Sequence, residues 1–271
     1  MWAIKNIAIL CIVLWLIAKL SYPYLPNWIK FYIKWTYFIL ITGFVSPFLI
    51  LLTLDRPRDP RNCDRVLYIL VWFYQLLNVK INCTDINNLF NLKGSIVFVS
   101  NHQSAIDFAV LAHIRPSNCI VLAKMSLLYT TGLYGLLGYL CGVQFITRGN
   151  KKHSKIIMTE LSAKVKKNGW RVWIYPEGTR NSTNTLGEFK KGAFLLAIDT
   201  KCPIIPIVVS NMSKFYNYEE RRWLPGVLNV KCLDPIYTDS CTKEDVQLLV
   251  DKVRNNMQQC YSTIESELLE E

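Results

Sequence analysis

Residues 101–107 place an imidazole and a carboxylate five positions apart, directly after a short apolar run. The run at 96–99 is largely β-branched and apolar residues follow the turn, which predicts a buried strand, a polar turn and a helix. At such a turn Asp107 could hold His102 in one tautomer, so that His102 acts as a general base. Ser104 and Asp107 are also spaced as a helix capping box, which leaves a purely structural role for Asp107 open.

Three further predicted strands lead into charged side chains, and they lie at 120–123, 142–148 and 172–175. Lys124 follows the first, Arg148 ends the second, and the loop 176–180 follows the third. Proline and glycine force a tight turn in this loop and expose backbone amides. The guanidinium of Arg180, at the end of the loop, can form a bidentate hydrogen bond with phosphate. Taken one at a time, these groups also fit solvated charged loops.

Strands alternate with helices along most of the chain. Further strands are predicted at 79–83, 204–209 and 228–233, and helices at 64–77, 151–167 and after a capping pair, Thr242 and Asp245. This order is typical of an α/β fold, here a mixed β-sheet with flanking helices. Polar groups at successive strand ends indicate a site at one edge of the sheet.

The bulk composition favours a membrane over nucleic acid as a partner. The 271 residues are 51% hydrophobic and 13% aromatic, and Lys and Arg outnumber Asp and Glu by 31 to 20, a net charge of +11. Such a charge suits nucleic acid, anionic lipid or a phosphorylated substrate, but no RNA-binding signature or DNA-reading zinc spacing is present. The nine cysteines form no C-x-x-C pair, which predicts reduced thiols in a domain that faces a reducing compartment.

Two uncharged segments precede the predicted sheet. Residues 6–18 carry no charge between Lys5 and Lys19, and 35–54 are 20 uncharged residues, the length that a bilayer core requires. Pro47 leaves two membrane arrangements open for the second segment, a span and a hairpin bent within one leaflet. A buried helix of a soluble domain is a third alternative.

Four arginines follow the second segment directly, at positions 56, 58, 61 and 65. Their excess predicts that the downstream domain lies on the cytosolic side of a membrane. We therefore expect a membrane anchor of two helical segments over 1–60 and the α/β domain over 61–271. A base beside phosphate-binding cations, on such an anchor, indicates transfer to a hydroxyl of a phosphorylated lipid.

Four ordered motifs in this chain resemble those of the glycerolipid acyltransferases. They are Asn-His-Gln-Ser-x-x-Asp at 101–107, Gly-Val-x-Phe-Ile-x-Arg at 142–148, Tyr-Pro-Glu-Gly-Thr-Arg at 175–180 and Ile-Ile-Pro-Ile-Val at 204–208. The resemblance runs from about residue 56 to the C-terminal helix and is greatest to the animal 1-acyl-sn-glycerol-3-phosphate acyltransferases. Tyr175 replaces the usual phenylalanine, which we expect to be neutral, and Thr147 stands where an acidic residue is common.

The resemblance implies acyl transfer from acyl-CoA to the sn-2 hydroxyl of lysophosphatidate, which yields phosphatidate and CoA. His102 would then be the general base, and Asp107 would orient the imidazole and stabilise its cation. Arg180, aided by Arg148 and Lys124, would hold the acceptor phosphate.

The same resemblance assigns the loop residues Glu177, Gly178 and Thr179 to substrate binding, with Glu177 shaping the turn. It implies neither a cofactor nor a metal ion, because acyl-CoA is a co-substrate whose thioester is already activated. The implied partners are lysophosphatidate, acyl-CoA and the lipid bilayer, with no nucleic acid and no obligate protein partner. The implied location is the endoplasmic reticulum membrane, with the catalytic domain on the cytosolic side.

Three other functions compete with this one. A serine lipase would require G-x-S-x-G at a nucleophile elbow, and the sequence contains none. Glycerol-3-phosphate or another lysophospholipid stays open as the acceptor, since acceptor choice depends on pocket shape. A non-catalytic membrane protein that binds anionic lipid would explain the anchor and the charge, but not the spacing of His102 and Asp107.

Overall fold

The computed structural model describes residues 21–75, 77–86, 92–114, 116–181, 183 and 185–270. The predicted anchor segment 6–18 lies outside the described residues. Within them, the strands are β1 (Val79–Thr84), β2 (Val97–Ser100), β3 (Cys119–Lys124), β4 (Gln144–Ile146), β5 (Arg171–Ile174), β6 (Ile204–Val209), β7 (Tyr216–Asn217), β8 (Arg222–Trp223) and β9 (Gly226–Cys232).

A mixed sheet forms the centre of the described fold. Its strand order is β1-β9-β6-β2-β5-β3-β4, and β7 and β8 form a separate hairpin. The run from β6 to β4 is parallel, whereas β9 is antiparallel to β6 and β1 is parallel to β9. The predicted α/β fold with a mixed sheet is confirmed.

Helices cover both faces of this sheet. In the described residues they are α1 (Asn27–Leu51), α2 (Arg61–Gln75), α3 (Asp107–Ile114), α4 (Met125–Thr130), α5 (Leu133–Leu140), α6 (Lys151–Asn168), α7 (Gly192–Thr200) and α8 (Val246–Glu270). Side chains of α1, α2, α3 and α5 pack on one face, and those of α6, α7 and α8 pack on the other. The result is a three-layer arrangement around two apolar cores.

The central strands are buried on both faces, as parallel strands usually are. We call the core beneath α1, α2, α3 and α5 the first core and the core beneath α6, α7 and α8 the second core. In β2, Phe98 contacts the first core, while Val97 and Val99 contact the second. The ring of Phe98 lies 5.8 Å from that of Trp173 in β5, and both side chains are fully buried. Burying a side chain such as Phe98 stabilises the fold by about 1.5–3 kcal/mol. These buried strands therefore hold the residues that follow their carboxyl ends in fixed positions.

The long N-terminal helix differs from its prediction. Helix α1 begins at Asn27, well before the predicted start at Trp35, and it continues through Pro47, so the bent-hairpin alternative is wrong. It is long and apolar enough to cross a membrane. One face packs on the domain, and the other exposes large apolar side chains that include Phe44 and Phe48.

A buried lysine, Lys34, lies in the part of α1 that was not predicted. The ammonium of Lys34 donates hydrogen bonds to the carbonyl oxygens of Leu77, at 3.3 Å, and Trp223, at 3.1 Å. Because these carbonyls replace water around the charge, Lys34 can lie between helix and domain. A search for uncharged runs stops at Lys34, and it therefore misses the first two turns of the helix.

Among the described elements, the helices α4 and α7 and the β7–β8 hairpin were not predicted. The hairpin strands are only two residues long, which is too short for an alternating pattern to reveal. Conversely, the strand predicted at 142–148 is reduced to β4. Gly142 has a left-handed backbone with φ of 79°, so the extended conformation cannot begin there.

Candidate active site

The predicted site residues follow the carboxyl ends of neighbouring parallel strands. His102 follows β2, Lys124 ends β3, Arg148 follows β4 and Arg180 follows β5. Because β4, β3, β5 and β2 are adjacent and parallel, their carboxyl ends meet at one edge of the sheet. The structure thus brings these residues to the single edge that the sequence indicated.

His102 and Asp107 are in direct contact. The Nδ1 atom of His102 lies 2.6 Å from Oδ2 of Asp107, a distance typical of a charge-assisted hydrogen bond. The carboxylate is almost fully buried, and the imidazole is mostly buried. With Nδ1 bound to the carboxylate, Nε2 is the ring nitrogen left to exchange a proton with a substrate.

The same carboxylate also caps the turn. Asp107 Oδ2 accepts hydrogen bonds from the backbone N–H groups of Gln103, at 2.6 Å, and Ser104, at 3.1 Å. The hydroxyl of Ser104 accepts from the N–H of Ile106 at 2.9 Å. Capping and contact with the imidazole therefore coexist in one side chain, and neither interpretation excludes the other.

Two amides on either side of His102 attach the turn to the end of β6. Asn101 exchanges two hydrogen bonds of 2.9 Å with the backbone of Val209. Gln103 donates to the carbonyls of Val209 and Ser210 and accepts from the N–H of Met212. Sequence reasoning missed these roles, although two amides flanking a histidine in a buried turn were a usable signal.

The loop after β5 holds the backbone of His102. The buried carboxylate of Glu177 accepts hydrogen bonds from the N–H of His102, at 2.9 Å, and of Gly187, at 3.0 Å. The N–H of Asn181 donates to the carbonyl of His102 at 2.7 Å. At Gly178, φ is 70° and the side chain of Lys190 occupies the space a Cβ would need. Glu177 lies where a turn-shaping role would place it.

An aromatic ring completes the surroundings of the imidazole. The ring of Tyr175 stacks on His102 with centroids 4.3 Å apart and planes 23° apart. Trp173 packs edge-on against Tyr175 at 6.3 Å. Burial raises the pKa of the Tyr175 hydroxyl well above its usual range, and the Asp107 charge adds to the effect. The sequence had suggested only that tyrosine is a neutral replacement at this position.

The cations at this edge are exposed. Partial burial lowers the pKa of Arg148, and the positive charge of Arg180 lowers it further, which places the two guanidinium groups near each other. Lys124 is paired in register with Ile146, two residues before Arg148. None of the ion pairs in the described part of the chain involves these three cations. Thr179 is also exposed in the loop.

Comparison with known proteins relates this domain to acyltransferases. A family profile described as Acyltransferase matches residues 80–210, which contain β2 to β6 and all of the site residues above. The fold is that of the 1-acyl-sn-glycerophosphate (LPA) acyltransferase PlsC from Thermotoga maritima, with a TM-score of 0.67 and 19% sequence identity over 86% of this chain and 98% of that chain. The family profile and the fold thus define an acyltransferase domain.

Two human relatives identify the family within the acyltransferases. The chain is 42% identical to human 1-acyl-sn-glycerol-3-phosphate acyltransferase beta over 161 residues, which are 59% of this chain and 58% of that protein. It is 35% identical to the human alpha protein over 202 residues, which are 74% of this chain and 71% of that protein. The chain belongs to the 1-acyl-sn-glycerol-3-phosphate acyltransferase family.

Proposed function

We propose that this protein transfers an acyl group from acyl-CoA to the sn-2 hydroxyl of 1-acyl-sn-glycerol-3-phosphate, which yields phosphatidate and CoA. The observation that carries the proposal is the 2.6 Å contact between His102 and Asp107 at a sheet edge that also carries Arg148 and Arg180. Family membership supports it, because the relatives are named for transfer to this acceptor.

In this mechanism Nε2 of His102 takes the proton of the acceptor hydroxyl as the oxygen attacks the thioester carbonyl. Asp107 holds the opposite ring nitrogen and stabilises the imidazolium that forms. Collapse of the tetrahedral intermediate breaks the carbon–sulfur bond and expels the thiolate of CoA. The thiolate then receives the proton from Nε2, so that His102 returns to its starting state.

Arg180 and Arg148 would bind the phosphate of the acceptor. The two guanidinium groups form no ion pair within the described residues and repel each other, and a bound phosphate would relieve that repulsion. Lys124 would add a point charge at the next strand end, and the loop residues Gly178 and Thr179 would lie along the acceptor. The reaction as proposed uses no cofactor or metal ion, since the thioester is already activated.

The protein would act at a bilayer, where the acceptor resides. The exposed apolar face of α1 would enter the lipid, and the face packed on the domain would keep the catalytic edge close to the surface. Apolar side chains of α1 and of the turn before α3, among them Trp35, Phe38 and Ile106, line a small gap between α1 and the domain. We place the enzyme in the endoplasmic reticulum membrane with this domain in the cytosol.

One assay tests the proposal. Purified full-length protein is incubated with labelled oleoyl-CoA and, in parallel, with lysophosphatidate, glycerol-3-phosphate or lysophosphatidylcholine. We expect label in phosphatidate and release of free CoA thiol in equal amounts. Preferential labelling of another acceptor would support acyl transfer but reject lysophosphatidate as the acceptor. No labelled product with any acceptor, from folded protein, would reject acyl transfer.

A further inference from the structure

The segment from Tyr175 to Asn181 holds His102 at three points. The Tyr175 ring stacks on the imidazole, Glu177 accepts from the His102 N–H, and the Asn181 N–H donates to the His102 carbonyl. The backbone contacts fix where the residue lies. The ring contact is the one that acts on the side chain, and the mechanism above does not use it.

We infer that Tyr175 is a positioning residue for acyl transfer. Its ring face holds the imidazole of His102 in the plane that presents Nε2 to the acceptor, and it stabilises the imidazolium formed during the reaction. This inference rests on the proposed function, in which His102 is the general base.

The geometry suits this role. Asp107 contacts the edge of the imidazole at Nδ1, and Tyr175 covers its face, so the two contacts are roughly perpendicular and leave Nε2 free. The face of an aromatic ring carries negative charge density and attracts cations within about 6 Å of its centroid. The separation here is 4.3 Å, so the attraction strengthens when the imidazole gains a proton.

The tyrosine is itself held in place. Trp173 packs against it edge-on, and Trp173 is fully buried in the first core beside Phe98. Because burial keeps the hydroxyl of Tyr175 protonated, the ring that faces His102 is a neutral phenol. The stabilising element is the ring face and not the hydroxyl. Phenylalanine should therefore serve equally well.

The first test compares three variants of the full chain in the oleoyl-CoA assay. Tyr175→Leu should lower kcat about 3- to 30-fold, the range to which cation–π energies convert, with KM for both substrates unchanged. Tyr175→Phe should retain wild-type kcat. Tyr139→Leu is the matched control, because the Tyr139 ring also lies near a cation, the Arg58 guanidinium at 4.7 Å, but away from the site. Its kcat should be unchanged.

A second test keeps the shape of the ring. Phenylalanine with none, one, two or five ring fluorines is incorporated at position 175, which lowers the charge density of the face stepwise at nearly constant volume. The logarithm of kcat should fall steadily along the series while the melting temperature and KM stay constant. This series also decides the matter if Tyr175→Leu does not fold.

Equal kcat values along the fluorinated series, or a loss in Tyr175→Phe as large as in Tyr175→Leu, would overturn the inference. Failure here is distinguishable from failure of the proposed function. If the wild type transfers no acyl group, or if His102→Ala is as active as the wild type, the proposed function or its base is at fault. If both behave as proposed and the series is flat, only the role of Tyr175 is wrong.

Discussion

The two halves of the site are built in opposite ways. Around His102, the backbone N–H, the carbonyl and Nδ1 each have a partner within the chain, from Glu177, Asn181 and Asp107. On the cation side, Arg148 and Arg180 are exposed and form no ion pair in the described residues. Other arginines do form such pairs: Arg61 with Asp59, Arg65 with Asp55 and Arg222 with Glu220.

The difference separates the tasks of chemistry and binding. A base must be oriented before the reaction, because orientation acquired during it would raise the barrier. Cations that bind a charged substrate gain most when no internal carboxylate has to be displaced. We therefore expect changes on the His102 side to lower kcat, and changes on the arginine side to raise KM.

The largest effect should come from the base itself. His102→Ala should reduce kcat about 10²–10⁴-fold, the usual contribution of positioned proton transfer. Its melting temperature should change little, because Asp107 keeps its two backbone hydrogen-bond donors when the imidazole is removed. The measurement is steady-state acyl transfer with thermal unfolding, and His113→Ala is the control. A kcat within tenfold of wild type would contradict a preformed base.

Asp107→Asn should come next, because it removes the charge that stabilises the imidazolium. We expect kcat to fall about 10²–10³-fold. The free energy of unfolding should fall by less than about 1 kcal/mol, because the asparagine oxygen can still accept from the backbone N–H groups of the turn. Asp245→Asn is the matched control: Asp245 accepts from the N–H and hydroxyl of Thr242 at the start of α8, away from the site. It should lose similar stability and no activity. If Asp107→Asn lost only stability, the carboxylate would be a cap alone.

The sequence predicted the two halves unequally well. Strand ends could be found from apolar runs and loop chemistry, so the common edge of His102, Arg148 and Arg180 was predictable. The contacts that make the base side rigid were not. They join residues far apart in the chain, such as Glu177 with His102 and Gln103 with Met212, and periodicity contains no information about such pairs.

The N-terminal helix shows a second limit of sequence reasoning. Length and hydropathy located an apolar helix. Because Lys34 is charged, however, the predicted segment began only at Trp35, although the helix begins at Asn27. The carbonyls that accommodate this ammonium come from Leu77 and from Trp223, nearly 190 residues away. Only the fold brings them together. The location of the segment 6–18 and the division of the chain at residue 60 stay predictions.

On the arginine side, Arg180→Ala should raise KM for lysophosphatidate about 10- to 100-fold, because a charge-assisted hydrogen bond to phosphate contributes about 1.5–3 kcal/mol. The kcat should change far less. Arg180→Lys should recover only part of the loss, since it keeps the charge without the planar fork. Arg61→Ala, which removes an arginine already paired with Asp59, is the control. An unchanged KM in Arg180→Ala would refute the assignment.

The smallest effect should be on membrane attachment, which neither half of the site provides. The full chain should stay with membranes through a high-salt or carbonate wash, because burial of the apolar face of α1 is insensitive to salt. The double variant Arg148→Ala/Arg180→Ala should sediment equally well. Fractionation followed by immunoblotting measures this. Release of the wild type by the wash would contradict anchoring by α1. Release of the double variant alone would show that the two arginines attach the protein to the membrane.

Two double-mutant cycles test the division of the site most directly. Residues that act as one unit give strongly non-additive losses, whereas independent residues give losses that multiply. His102→Ala/Asp107→Asn should therefore be hardly slower than His102→Ala alone. His102→Ala/Arg180→Ala should lose kcat/KM by about the product of the two single losses. Multiplicative losses in the first pair, or no further loss in the second, would contradict a preformed base beside separate phosphate-binding cations.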